Sequence, residues 1–249
     1  MSKDLDIKIE KVVTWLQEKV KESHTNGLVV GISGGIDSAL VSFLIKKAFP
    51  NNSLGVILPI NSNPDDEKDA LEVAKKCDIK NITLDLSDIK MNLLDTVTKE
   101  LNSSSLFNQD NLKLTDANLR ARLRMSTIYS VANNLNYLVV GTDNKAEVHT
   151  GYFTKYGDGG VDILPIANLS KREVYEWSEY LGVPSSVLER QPSAGLWEGQ
   201  TDENEMGTTY NMIDDYLNGK EIPKKDKDII DNLHKRSMHK RKMPDACEI

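Results

Sequence analysis

Cysteine is nearly missing from this chain: Cys77 and Cys247 are the only two in 249 residues. Two thiols cannot build a disulfide framework or a cysteine-based zinc site, so the reducing cytoplasm is the expected compartment. No apolar run approaches the roughly 18 residues of a membrane span. The opening residues, MSKDLDIKIEKVV, also lack the apolar stretch of a signal peptide. Nor is there an excess of positive charge, since 31 Lys and Arg against 38 Asp and Glu leave a net −7. A general nucleic-acid binder carries a basic face, and this balance argues against that class. Phosphate ligands stay open, because basic residues cluster locally at Lys171-Arg172 and in His234–Lys242. What remains is an ordinary interior: 39% hydrophobic and 28% charged residues suit one α/β domain, or a domain with an appendage.

The most informative stretch is Leu28–Leu40, LVVGISGGIDSAL. Leu28, Val29, Val30 and Ile32 read as a buried strand, and Ile36, Leu40 and Leu44 recur at helical spacing. Between them lie Ser33-Gly34-Gly35, a turn whose glycines let backbone N–H groups approach a ligand closely. Unpaired N–H donors and the positive dipole end of the following helix make this an anion site, with phosphate the expected ligand. The loop fits neither G-x-x-x-x-G-K-[ST] nor G-x-G-x-x-G. Ser33-Gly34-Gly35-Ile36-Asp37-Ser38 instead resembles the SGGxDS pyrophosphate loop of the N-type ATP pyrophosphatases, which implies cleavage of ATP between its α and β phosphates.

Taken in order, residues 5–20 carry an i, i+3/i+4 stripe of Leu5, Ile9, Val12, Val13, Leu16 and Val20, an amphipathic helix before the first strand. Leu54–Ile60 reads as a second buried strand. Pro64 followed by Asp65, Asp66 and Glu67 starts a helix, with acids at its positive end. Ile79–Leu86 is a third strand, and Ile89, Leu93, Val97 and Leu101 form an i, i+4 ladder on the next helix. The polar segment 102–111 reads equally as a surface connection or a lid. Helix Thr115–Leu135 carries Arg120, Arg122 and Arg124, and strand Tyr137–Val140 runs into Gly141-Thr142-Asp143. Alternating apolar strands and helices predict a doubly wound parallel sheet covered on both faces. The loops after the first strand and after Tyr137–Val140 should then share one crevice.

Thr142–Asp162 holds four glycines within ten residues, Gly151, Gly157, Gly159 and Gly160, and is expected to be a functional loop without helix. Asp37 and Glu147 are candidate Mg²⁺ ligands, because Mg²⁺ prefers one or two carboxylates plus phosphate oxygens. Ser170-Lys171-Arg172-Glu173 is a capping box. Lys171 at that helix start gains nothing from the dipole, so service to an anionic ligand and free solvation stand nearly level as readings. Residues 190–206 lose periodicity, and two closing helices follow around Tyr210–Leu217 and Ile229–Leu233.

Together SGGIDSA (33–39), NLRARLRM (118–125), GTDNKAE (141–147), TGYFTKYGDGG (150–160), LPIANLSKREV (164–174) and HKR (239–241) resemble ammonia-dependent NAD synthetases over nearly the whole chain. The resemblance implies the adenine nucleotide alpha-hydrolase-like fold and a homodimer. The implied activity is that of an ATP- and Mg²⁺-dependent ligase, which adenylates the nicotinate carboxylate of deamido-NAD and displaces AMP with ammonia. It assigns Gly31, Ile32, Ser33, Gly34, Gly35, Ile36, Asp37 and Ser38 to ATP. Thr142, Lys171 and Ser193 are further ATP contacts, Ser193 standing where relatives often have threonine. Asp37 and Glu147 take Mg²⁺, while Arg122, Lys155, Asp162, His239 and Lys240 take deamido-NAD. Asp37, Lys171 and Asp158 are the implied catalytic residues, with Asp158 ordering its glycine loop. The family's longer, glutamine-using form adds a nitrilase-like domain. Residues 1–249 leave no room for one, so a single synthetase domain without glutaminase domain is expected. Free ammonia is then the donor, unless a separate subunit delivers it. Two alternatives use the same loop, a tRNA-modifying adenylating enzyme and a non-catalytic ATP-binding module. The charge of −7 and the cysteine positions oppose the first.

Overall fold

The structure is a computed structural model, and it describes residues 2–193 and 201–247. The amphipathic stripe of the first segment forms α1 (Ser2–Glu22), with Leu5, Ile9, Val13, Leu16 and Val20 all buried. Next come β1 (Gly27–Gly31), α2 (Ile36–Ala48), β2 (Ser53–Ile57), α3 (Pro64–Lys76) and β3 (Lys80–Thr83). Asn63 caps α3, its side chain accepting the Asp65 amide, with Pro64 at the first turn as its fixed φ favours. The chain continues through α4 (Ser87–Ser103), α5 (Leu112–Leu135) and β4 (Tyr137–Val140). It closes with α6 (Lys145–Thr150), α7 (Lys171–Leu181), α8 (Ser185–Leu188), α9 (Asp202–Met206), α10 (Tyr210–Leu217) and α11 (Lys224–Arg236).

The four strands are all parallel, in the order β3-β2-β1-β4. Alternation along β1 sends its side chains to two cores. Leu28 and Val30 join α1, α2, α3 and α7, whereas Val29 joins Val56, Val139 and α5 residues on the opposite face. This is the doubly wound sheet that the sequence predicts. Strand order reverses between β1 and β4, so the loops leaving their carboxyl ends flank one crevice. A third core of Ala146, Met206, Tyr210, Ile213, Ile230 and Leu233 ties α6, α10 and α11 into a helical cap beside it.

Three expectations are corrected. The sheet is not covered on both faces along its whole width: β3 is exposed throughout and α4 buries no residue. The predicted ladder Ile89, Leu93, Val97 and Leu101 is therefore a solvent-facing apolar stripe, 37–54% exposed. The segment 142–162 is not all loop, because α6 occupies Lys145–Thr150. The glycines begin only at Gly151, where φ of +68° ends that helix. The aperiodic 190–206 contains α9, which Thr201 caps from its side chain; residues 194–200 lie outside the described residues.

Candidate active site

The anion loop is built from its own hydroxyls. The Ser33 amide donates to Ser38 Oγ (3.1 Å), the Gly35 amide to Ser33 Oγ (3.2 Å), and Ser38 Oγ donates to the Gly35 carbonyl (2.9 Å). Gly34 has φ of +85°, and a Cβ there would sit 2.5 Å from the Asp66 carbonyl on α3. Any other residue would be strained and would push α3 away. No side chain caps the N-terminus of α2, which leaves its first amides directed at the crevice.

Asp37, in the first turn of α2, is met by residues that follow it by more than 100 positions. Lys171 Nζ lies 2.6 Å from Asp37 Oδ2 and 3.6 Å from Glu147 Oε1. Asn144 joins the same two carboxylates: its side-chain amide donates to Asp37 Oδ1 (2.9 Å) and its backbone amide to Glu147 Oε2 (3.0 Å). Asn144 is also the cap of α6, its Oδ1 accepting the Ala146 and Glu147 amides, a reciprocal capping box. A helix of only six residues thus has a defined start, and that start sets where Glu147 points.

The electrostatics follow from burial. Lys171 is 3% exposed, which by itself would lower its pKa, but Asp37 and Glu147 outweigh that and hold the ammonium above its ordinary value. Burial, reinforced by the Asp37 charge, pushes Glu147 up to about 7 against the pull of Lys171. Asp143 is buried beside the same group, and burial plus the charges of Asp158, Glu147 and Asp37 raises it well above the carboxylate range. The site therefore concentrates negative charge around one buried cation. Two convergent carboxylates with all-oxygen donors fit Mg²⁺ completed by phosphate oxygens. Among the described residues no group of three or more His, Cys, Asp or Glu could hold a metal ion.

Lys171 is oriented from behind by α10. Its backbone amide and that of Arg172 each donate to a carboxylate oxygen of Asp214 (3.1 Å), a residue 1% exposed. Ser170 and Glu173 complete the predicted capping box. Tyr210 places its hydroxyl 3.0 Å from Glu147 Oε1 and 2.9 Å from Asp202 Oδ2. A cavity of about 290 Å³ beside this cluster is lined by Lys171, Tyr175, Pro192, Thr201 and Tyr210, among others.

Four of the residues expected to meet the second nucleotide are joined through the 151–155 backbone and the end of the chain. Arg122 Nε and Nη2 lie 3.4 Å from the Lys155 carbonyl, and Lys155 Nζ donates to the His239 carbonyl (2.8 Å). Lys240 Nζ donates to the carbonyls of Gly151 (2.8 Å) and Phe153 (2.5 Å). Lys155 and His239 also line a cavity of about 160 Å³ with Lys242 and Asp245. Asp158 Oδ1 accepts the Thr154 amide (2.8 Å), an ordering bond within the glycine loop. Gly151 is required there, since a Cβ would lie 2.2 Å from Ser237 at the end of α11. Asp162 stands apart: Tyr129 donates to one of its oxygens (2.9 Å) and the Val139 amide to the other (2.7 Å), so it pins β4 to α5. Thr142 follows β4 at the crevice, and Ser193 is exposed.

Asn144, Tyr210, Asp202 and Asp214 escaped the sequence reading. Asn144 had a usable signal, since Asn followed three residues later by Glu is the same capping pattern that marked Ser170. The other three had none, because their value lies in contacts across 43 to 63 residues or with one another.

With this geometry in place, comparison with known proteins is informative. A model of the NAD synthase family matches residues 8–244. The NH(3)-dependent NAD(+) synthetase of Alkaliphilus metalliredigens (strain QYMF) is 66% identical over 241 residues, covering 97% of this chain and 98% of its own. Among solved structures, the NMN synthetase of Francisella tularensis aligns with a TM-score of 0.90 at 40% identity, over 98% of this chain and 99% of that one. The NH3-dependent NAD synthetase of Campylobacter jejuni subsp. jejuni NCTC 11168 aligns with a TM-score of 0.77 at 29% identity, over the same 98% and 99%. A family match across nearly every residue, on a sheet whose switch point carries the SGGIDS loop, leads to one conclusion: this chain belongs to the NAD synthase family.

Proposed function

We propose that the protein is an ammonia-dependent NAD synthetase, a C–N bond-forming ligase that converts deamido-NAD, ATP and ammonia to NAD, AMP and pyrophosphate. The observation that carries this reading is the convergence of Asp37 and Glu147, from two distant segments, on Lys171 beyond the uncapped start of α2. A carboxylate is a poor acylating agent, and adenylation supplies the leaving group it lacks. A nicotinate carboxylate oxygen attacks the α-phosphorus of ATP and pyrophosphate departs. Ammonia then attacks the acyl carbon and AMP departs with the C–O electron pair. The α2 amides cradle phosphate, and Lys171 offsets charge that develops as the α–β bond breaks. Asp37 and Glu147 would hold Mg²⁺, which neutralises phosphate charge when bound. Arg122, Lys155, His239 and Lys240 would hold deamido-NAD, with Asp162 supporting the strand beside them. No covalent enzyme intermediate is needed.

A second reading takes nicotinate mononucleotide as the acid, and the TM-score of 0.90 to the Francisella protein, against 0.77 to the Campylobacter one, favours examining it. One incubation tests both. Purified protein, ATP, Mg²⁺ and ammonium are mixed with deamido-NAD and nicotinate mononucleotide in equal amounts, and NAD, NMN and AMP are separated by chromatography. NAD formed with matching AMP is expected; NMN in excess would reassign the acceptor, and neither amide would sink the synthetase reading. A tRNA-modifying role draws no support from the family match.

The protein is further proposed to be a cytoplasmic, single-domain homodimer. Among the described residues no helix is long and apolar enough to cross a membrane. Ile89, Leu93, Val97 and Leu101 on α4 form an exposed apolar stripe, Leu114 on α5 is 62% exposed, and a second copy would bury such surface. Leu93→Asp with Val97→Asp should convert a dimer to a monomer in sedimentation velocity. A wild-type protein that sediments as a monomer would remove the dimer assignment.

A further inference from the structure

Tyr210 belongs to none of the motifs that led to the family, yet it touches the metal carboxylate and the buried lysine at once. Its hydroxyl has one proton and can donate to one carboxylate at a time. Two stand in reach: Glu147 Oε1 at 3.0 Å and Asp202 Oδ2 at 2.9 Å. Its ring faces Lys171, whose Nζ lies 4.5 Å from the ring centroid. The residue is 5% exposed, and its backbone amide donates to Glu203 Oε1 (2.9 Å), which fixes the start of α10. One turn later the same helix supplies Asp214, which holds the start of α7 through the Lys171 and Arg172 amides. A two-turn helix is thus coupled to both Glu147 and Lys171, and through Lys171 to Asp37.

This arrangement matters when a cation enters. Lys171 now neutralises Asp37 and Glu147, and a metal binding those carboxylates takes both partners from it. The ring of Tyr210 remains, and a cation over an aromatic face keeps part of its stabilisation without a carboxylate. Glu147 need not give up its bond to Tyr210 to take the cation, because an ionised carboxylate oxygen has one lone pair for the hydroxyl and another for a metal. The phenol then stays between Glu147 and Asp202 as an outer-shell partner of the carboxylate that would hold the metal.

We infer that Tyr210 is a positioning residue of the metal site: its hydroxyl, set between Asp202 and Glu147, holds Glu147 turned for the cation and stays its outer-shell partner, while its ring carries Lys171. The inference rests on the proposed role of Glu147 as a Mg²⁺ carboxylate. The test is calorimetric titration of Mg²⁺ into protein saturated with α,β-methylene-ATP, whose α–β linkage cannot be split, beside steady-state kinetics at varied Mg²⁺. Tyr210→Phe keeps the ring and its packing. It should weaken Mg²⁺ binding about tenfold, as loss of an outer-shell partner does, with kcat at saturating Mg²⁺ held within about twofold. Its thermal midpoint should fall by only a few degrees, about 2–4 °C in a chain of this size, since the apolar contacts survive and one buried hydroxyl is lost. Tyr210→Leu removes the ring as well and should also lower kcat. Wild-type Mg²⁺ affinity in Tyr210→Phe overturns the inference, as does a fall in kcat at saturating Mg²⁺ without a change in affinity. Glu147→Gln separates the two readings. If it binds Mg²⁺ as wild type does, the metal assignment fails and the inference with it. If it binds weakly while Tyr210→Phe is unaffected, only the inference fails.

Discussion

Asp37→Ala is expected to reduce pyrophosphate release by about a thousandfold or more, the scale of several kcal/mol of lost charge stabilisation. Three functions end together in that variant. The proposed metal loses one of two carboxylates, Asn144 loses the acceptor that joins it to α2, and Lys171 loses its nearest counter-charge at 2.6 Å. The last loss also bears on stability, because removing one partner of a buried ion pair costs about 3–5 kcal/mol. Asp37→Asn is therefore the companion variant. Its amide keeps the shape and one oxygen acceptor while removing the charge, so a folded Asp37→Asn protein with equally depressed release assigns the loss to charge. The measurement is pyrophosphate and AMP formation with deamido-NAD and ammonium, alongside a thermal melt. Near-normal release from a folded Asp37 variant would remove it from the metal role.

Lys171→Met should lower kcat by about 10²–10³-fold, the usual effect of deleting one preorganised group that stabilises developing charge. Methionine approximates the length and apolar stem of lysine, so the loss isolates the ammonium. A second signature distinguishes this from general damage. Without the ammonium, Asp37 and Glu147 face one another across a buried site with no cation, which destabilises the metal-free protein. Mg²⁺ binds only the folded arrangement and so should raise the thermal midpoint of Lys171→Met more than that of wild type. In wild type Lys171 would compete with Mg²⁺ for both carboxylates, whereas in the variant that competitor would be gone. Unchanged kcat, or an equal response to Mg²⁺ in both proteins, would separate Lys171 from the reaction.

These expectations rest on features of unequal visibility in the sequence. The strand–glycine–helix unit around Ser33–Ser38, the proline start of α3 and the Ser170–Glu173 box were legible, because each is closed by hydrogen bonds within a few residues. The stripe of α4 was equally legible as a pattern, but periodicity reports only that one side is apolar. It does not say what covers that side, and among the described residues α4 buries none of its own. The helix α6 is too short, at six residues, to show a periodic stripe, and the glycines at 151–160 that follow it point to loop. Its own Asn144 cap and Ala146 favoured helix before those glycines began.

The sequence by itself determined the doubly wound class, the strand–glycine–helix turn and the identity of the charged side chains, all of which depend on local bonding and on repeat spacing. It could not determine that Asp37, Asn144, Glu147, Lys171 and Tyr210 form one cluster. Asp37 and Lys171 are separated by 134 positions, and their contact exists only because α2 and α7 share a core on one face of the sheet. Glu147 and Tyr210 meet because α6 and α10 share another. Charge pairing of this kind has no periodic signature; it is decided by which buried faces pack together, and that is a property of the folded chain alone.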